Sequence, residues 1–221
     1  MKYKYQLHTH TAPTSKCAAT TPAELISALK RAGYAGCVIT NHFYHGNTGV
    51  CRELCWEDFV SAYERDYLEC KREGEKQGID VIFGIEEGVG AHNEILCYGI
   101  TPELLYAHPE LRECDMKECF DVMHSCGALV IQAHPYRYPC TPLPLVLIDG
   151  IEVYNHSHNR EYDESAELLG GEHRGIITTS GADTHTPETV GFGGIMTDCR
   201  ITDGKELVRV LREGKYQLLK P

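Results

Sequence analysis

The chain of 221 residues is predicted to be an α/β protein whose strands close, or nearly close, into a barrel. Seven short apolar runs rich in β-formers recur along it, and segments with helical periodicity separate most of them. Alternation of this kind implies parallel strands with helices outside. Seven such units suit a barrel, with an open doubly wound sheet as the alternative. Polar side chains also gather at the C-terminal ends of the runs, where barrel enzymes build their sites.

The predicted strands cover residues 3–8, 35–40, 80–86, 94–100, 128–134, 150–155 and 175–183. The first helix spans 21–34. Thr21 caps it, Pro22 suits its first turn, and Glu24 completes a Thr-x-x-Glu capping box. Leu25, Ala28, Leu29 and Ala32 form its apolar stripe, and Gly33 ends it. Four more helices are predicted over 56–78, 115–127, 160–173 and 203–216. The proline-rich stretch 136–146 reads as a loop over the barrel mouth. One domain is expected to cover residues 1–221, the default for this length.

Composition narrows the function. Lys and Arg number 21 against 32 Asp and Glu, a net charge of −11. Such a balance disfavours a stable nucleic-acid complex and attraction to anionic membranes. The N-terminal segment lacks the apolar stretch of a signal peptide, and no run reaches membrane-spanning length, so a cytoplasmic location is expected. The 11 cysteines have no C-x-x-C pair; Cys51 and Cys55 come nearest. Most lie in apolar segments, and buried reduced thiols are the expectation.

The strand ends carry His8-Thr9-His10, Asn41-His42, Glu86-Glu87, His134-Pro135, then Glu152, Tyr154 and Asn155, and finally Asp183-Thr184-His185. Residues two apart on a strand point the same way. His8 and His10 therefore aim at one spot, as do Asp183 and His185. A mixed imidazole and carboxylate set suits zinc, manganese or iron. No cysteine falls among these ends, which favours a catalytic centre over a closed structural one. Any one of these motifs is weak alone; their shared position makes the argument.

The ordered set LHTHT, ITNH, FGIEE, IQAHP, IEVYN and GADTH resembles the polymerase and histidinol phosphatase (PHP) family, from about Tyr3 to Cys199. The resemblance implies a distorted, TIM-like (β/α)7 barrel holding two or three divalent metal ions at the C-terminal ends of the strands. It implies that His8, His10, Glu86 and Asp183 bind one metal, and that Glu86 bridges to a second also bound by His134. His42 and His185 would bind a third metal or act on the substrate as catalytic groups. Glu94 is the candidate fourth-strand ligand, with His92 behind it. Two departures stand out: Ser15 replaces an Asp or His common in relatives, and Asn41 replaces an Asp. Two firm metals and a doubtful third are expected.

The implied activity is phosphoester hydrolysis, mono- or diester, by a metal-bridged hydroxide. Arg137, directly after the His134 motif, is a candidate phosphate fork, with Lys16 and Arg160 as further substrate-binding candidates. His156 and His158 are read as exposed loop residues. The substrate is expected to be a small phosphorylated molecule or a nucleotide. The alternatives are a non-catalytic metal- or partner-binding domain and a metal-dependent amidohydrolase.

Overall fold

The structure is a computed structural model that describes residues 2–157, 160–173 and 175–220. Nine strands lie within these residues: β1 (Tyr3–Gln6), β2 (Gly36–Ile39), β3 (Asp80–Val89), β4 (Asn93–Tyr98), β5 (Leu129–Gln132), β6 (Gly150–Asn155), β7 (Ile177–Gly181), β8 (Ile195–Thr197) and β9 (Tyr216–Leu218). The helices are α1 (Pro22–Arg31), α2 (Trp56–Tyr63), α3 (Arg65–Gln77), α4 (Pro102–Ala107), α5 (Met116–Ser125), α6 (Arg160–Glu172) and α7 (Gly204–Glu213).

The strands form one sheet in the order β7-β6-β5-β4-β3-β2-β1-β8-β9. The sheet curls until β1 and β7 meet just beyond their C-terminal ends. There Thr9 and Thr184 form a parallel bridge, the His10 N–H donates to Thr184 O at 2.9 Å, and the Thr184 N–H donates to His8 O at 3.2 Å. The result is a nearly closed, barrel-like sheet, and the bridge that brings its ends together lies between two predicted site histidines.

All seven predicted strands are present, but the plain (β/α)7 pattern is not. β4 runs antiparallel to both β3 and β5. Only residues 90–92 separate β3 from β4, and a parallel crossover needs about a dozen. Strands β8 and β9 extend the sheet beyond β1 as antiparallel neighbours. The long second helix is two, divided at Glu64 into α2 and α3, and α4 was not anticipated.

Local signals explain the remaining helices. Thr21 and Glu24 exchange the capping-box bonds at α1, and Asp115 and Glu118 do so at α5. Asp203 caps α7, and Gly214, at φ +64°, ends it in the left-handed region that glycine favours. Leu207, Val208, Val210 and Leu211 of α7 pack in one cluster with Tyr5, Val38, Ile82, Leu96, Leu129 and Ile131 from the strands. A second cluster sets Trp56, Phe59 and Tyr63 of α2 against Phe83 and Ile85 of β3. No described helix is long and apolar enough to cross a membrane.

The cysteines depart from expectation. Cys37, Cys70, Cys97, Cys119 and Cys140 are buried, but Cys17, Cys51, Cys55, Cys126 and Cys199 are exposed. An apolar neighbour in sequence does not bury a residue in a loop or at a helix end.

Candidate metal centre

Each functional side chain is aimed by a local device. Thr9 turns toward β2, with its hydroxyl donating to Val38 O at 2.7 Å and its N–H to Thr40 Oγ1 at 3.0 Å. The flanking His8 and His10 therefore turn together into the opposite space, fully buried. His42 extends β2 and is bridged to Glu86 on β3. Glu94 lies across from Gly88 in the β3–β4 pair. His134 and Asp183 follow β5 and β7 in left-handed backbone, at φ 29° and 50°, the only described non-glycine residues with positive φ.

These groups converge. His8 Nε2 lies 3.1 Å from Glu86 Oε1, His10 Nε2 lies 3.2 Å from Glu86 Oε2, and His42 Nδ1 lies 2.9 Å from Glu86 Oε2. His134 Nε2 is 3.4 Å from Glu86 Oε1 and 3.5 Å from Glu94 Oε2. Asp183 Oδ1 is 3.2 Å from His10 Nε2 and 3.4 Å from His185 Nδ1. A cavity of about 230 Å³ opens onto this cluster, lined by Glu86, Asp183, His185, Cys17 and Asn47 among others.

The contacts among His8 Nε2, His10 Nε2, His42 Nδ1 and the two Glu86 oxygens are short, yet none of these five buried atoms makes a hydrogen bond among the described residues. Buried polar atoms are normally satisfied. Donor atoms that face a common point rather than one another are what a metal site requires. Four overlapping trios have donor atoms within 4.8 Å: His8–His10–Asp183, His8–Glu86–His134, His42–Glu86–Glu94 and His10–His42–His185. Glu86 belongs to two of them, as a bridging carboxylate would.

Surrounding groups orient the rings. His8 Nδ1 lies 3.1 Å from Glu152 Oε1 and His10 Nδ1 lies 3.2 Å from Ser15 Oγ. The Ser15 hydroxyl donates to Asn41 Oδ1 at 2.9 Å, so His10 Nδ1–H donates to Ser15. In both rings Nε2 is the atom turned to the cleft, the arrangement typical of metal-bound histidine. Glu152 also accepts the His134 N–H at 3.2 Å and the Asn155 amide at 2.7 Å. Gly181 makes room for this carboxylate, since a Cβ there would lie 2.1 Å from Glu152 Oε1.

Charge follows geometry. Burial works to raise the Glu86 carboxyl, but the His8 and His42 charges and the His10 and His134 rings beside it hold it well below the usual carboxylate range. Asp183 is likewise held low, mainly by His8 and His10 against burial. Burial works to lower the imidazoles, and the carboxylates overcome it: His8 is raised well above its ordinary value, His42 to about 11 and His134 to about 9.

The substrate candidates separate. Arg137 Nη2 donates to Glu94 Oε2 at 2.6 Å and lines the cavity. Lys16 is exposed, next to Cys17. Arg160 does not join them: it pairs with Glu164 and lines a different cavity with Tyr154, Asp163 and Lys220. His92 is exposed, whereas Glu94 is in the cluster. His156 stacks on Phe192 at 3.9 Å, and His158 lies outside the described residues.

Three roles were not foreseen. Ser15 is not a vacant ligand position; it is fully buried and also accepts the His42 N–H at 3.0 Å. Asn41 bonds Ser15 and both the N–H and hydroxyl of Thr11. Cys17 enters the cavity from the loop after β1, away from the strand ends, which carry no cysteine. Its Sγ lies 3.0 Å from His185 Nε2. Burial works against its thiolate, but hydrogen bonds from His185 and His42 bring the thiol down to about 5. Its position seven residues after His10 was the one signal available, and no strand pattern reaches into that loop.

Comparisons with known proteins agree with this architecture. The PHP domain family model matches residues 6–209. Among solved structures, the chain is similar to a two-domain protein from Bacteroides vulgatus described as containing a predicted PHP-like metal-dependent phosphoesterase, at 18% identity and a TM-score of 0.73, covering 100% of this chain and 65% of that one. An amidohydrolase from Chromobacterium violaceum matches at 17% identity and a TM-score of 0.63, covering 97% of each chain. A lesion-specific endonuclease from Pyrococcus furiosus matches at 15% identity and a TM-score of 0.67, covering 99% of this chain and 58% of that one. The chain thus spans less than two thirds of the Bacteroides and Pyrococcus proteins. No curated protein matches it.

Proposed function

The chain belongs to the PHP domain family, and from that premise we propose that it is a metal-dependent phosphoesterase acting on a small phosphorylated molecule or a nucleotide. The observation that carries this reading is the set of imidazoles drawn around Glu86 with no hydrogen bond to satisfy its buried oxygens. His8, His10, Glu86, Asp183, His134 and Glu94 would hold the ions, with His42 and His185 at the edge of the set. Manganese, zinc and iron all suit such ligands. When bound, the metals supply an activated water and stabilise charge on the phosphoryl oxygens.

The chain's own groups do the rest. Glu152 and Ser15 fix the His8 and His10 tautomers. Glu94 grips one nitrogen of Arg137 and leaves the remaining N–H groups to receive phosphate oxygens. Lys16 is assigned the outer edge of the same anion. His185 donates Nδ1–H to Asp183 O at 2.8 Å, and where no ion occupies its Nε2 a proton on that atom would go to the leaving oxygen. The net charge of −11 favours a small anion over a long nucleic acid.

The test is metal content per chain, measured on protein purified without a metal-affinity column, followed by assays on phosphoesters and amides. Two to three equivalents of manganese, zinc or iron with phosphoester hydrolysis support the reading. Hydrolysis of amides alone would replace it with the amidohydrolase, and no metal uptake would leave a non-catalytic domain. Full hydrolysis retained in both His8→Ala and Glu86→Ala would remove the assigned centre.

A further inference from the structure

The cavity has two chemically different halves. Around Glu86, Glu94 and Asp183 it offers carboxylate oxygens and imidazoles. At its other side it offers a sulfur. Cys17 Sγ is 3.0 Å from His185 Nε2, and the His42 ring lines the same cavity as that thiol. One sulfur and two imidazoles therefore share this side of the cavity.

The tautomer of His185 makes that pairing informative. Its Nδ1 lies 2.8 Å from the Asp183 backbone carbonyl, which can only accept, so Nδ1 carries the proton. Nε2 faces the sulfur and shares a single proton with it. That shared proton is what a metal ion would displace, leaving a thiolate and a neutral imidazole as ligands. A second observation concerns the two imidazoles of this side. His10 Nε2 is buried without a hydrogen bond, and His10, His42 and His185 offer ring nitrogens within 4.8 Å of one another.

The loop that delivers Cys17 is pinned on both sides. The Lys16 N–H donates to Asn47 O at 3.0 Å and the Ala18 N–H to Ser15 O at 3.2 Å. The Ala19 N–H donates to His185 O at 2.8 Å, and the Thr20 hydroxyl reaches the same carbonyl at 3.0 Å. Cys17 and His185 are thus fastened to each other through their backbones, which preorganises the pair. A tetrahedral zinc, with bonds of about 2.3 Å to sulfur and about 2.0 Å to nitrogen, spaces such ligand atoms about 3.5 Å apart. The two need to part by only about 0.5 Å on that geometry.

We propose that Cys17, His42 and His185 form a thiolate-containing metal site beside the Glu86 centre, one that selects zinc or ferrous iron over manganese and magnesium. Sulfur and imidazole prefer the softer ions, whereas the carboxylate-rich half accepts the harder ones as well. This proposal rests on the metal-centre reading above and gives the ion at its edge a thiolate ligand and a preference.

The experiment compares wild type with Cys17→Ser and Cys17→Asp after chelation and reloading with zinc, cobalt or manganese alone. Elemental analysis counts the ions, and optical spectra read the thiolate-to-cobalt charge-transfer band. Iodoacetamide labelling, read by peptide mass spectrometry, follows Cys17 against the exposed Cys51 and Cys199. Zinc is expected to slow labelling of Cys17 about tenfold or more while leaving the two controls unchanged. Cys17→Ser is expected to bind one zinc fewer and lose the cobalt band; Cys17→Asp is expected to regain the equivalent with manganese. The Cys17 side chain is exposed, and circular dichroism would verify that both variants fold.

If Cys17→Ser keeps the wild-type zinc count and spectrum, or if zinc-loaded wild type labels at Cys17 as fast as chelated protein, the thiolate site is wrong while the Glu86 centre stands. If wild type takes up neither zinc nor cobalt, the metal-centre reading and this proposal fall together.

Discussion

Glu86 and Glu87 are neighbours on β3, both almost fully buried, and their surroundings could hardly differ more. Glu86 faces the cleft, where His8, His10, His42 and His134 hold it far on the charged side. Glu87 faces away and accepts the His45 N–H at 2.7 Å. Burial pushes its carboxyl well above the usual range, against that backbone bond. Burial alone therefore does not decide whether a carboxyl is an acid or an anion; the partners that strand alternation delivers do. One face of β3 is built for chemistry and the other fastens the loop after His42.

The largest effect expected from breaking this contrast is at Glu86. Glu86→Gln keeps the shape but removes the charge, and is expected to cut phosphoester hydrolysis about 10³-fold or more along with bound metal. Initial rates and elemental analysis would read both.

Chelation sharpens the contrast next. His42 and His134 are raised to about 11 and about 9, so each binds in the folded chain a proton that the unfolded chain releases near pH 6.5. Their stabilisation is complete below that pH and is lost as pH rises through the folded values. The contributions of Glu86 and Asp183, held low, are complete above the usual carboxylate range and stay constant over this window. Chelated protein is thus expected to lose on the order of 5–10 °C in Tm between pH 6.5 and 9. Zinc-loaded protein should show a flatter profile in the same calorimetric scan.

A smaller effect is expected behind the cleft. Glu152→Gln leaves the fold intact but weakens its hold on the His8 tautomer, and metal affinity should fall about 10–100-fold in a competition titration. The smallest effects fall on the other face of β3. Glu87→Gln keeps an oxygen to accept the His45 N–H and should change stability by less than about 1 kcal/mol in urea melts. Glu87→Ala leaves the His45 N–H unpaired and should cost about 1–3 kcal/mol. A Glu87→Gln variant that lost metal like Glu86→Gln would undo the contrast altogether.

Much of this was legible because strand alternation is local. The i, i+2 rule turned His8 and His10 together, and the end of each apolar run located its polar residues without tertiary information. Both capping boxes were equally local. What could not be read depends on contacts between distant segments. The reversal of β4 was within reach, since too few residues separate it from β3 for a crossover. The placement of Cys17 against His185 was not, because 168 positions lie between them. Ser15 looked like a lost ligand and is instead a bonded hub, a distinction set by the Asn41 and His42 groups around it. Arg160 had the right charge near the right strand, yet the chain leads it into another cavity.

His134 and Asp183, the two side chains set on left-handed backbone, have a consequence for anyone who evolves this protein. Each pays about 1–2 kcal/mol for a conformation in which glycine is at ease, offset in part by the wider freedom of glycine in the unfolded chain. Glycine at positions 134 and 183 would relieve that strain but remove the imidazole and carboxylate contacts that the folded chain gains there. Selection for heat resistance alone would therefore set backbone ease against ionic contact at the same two residues.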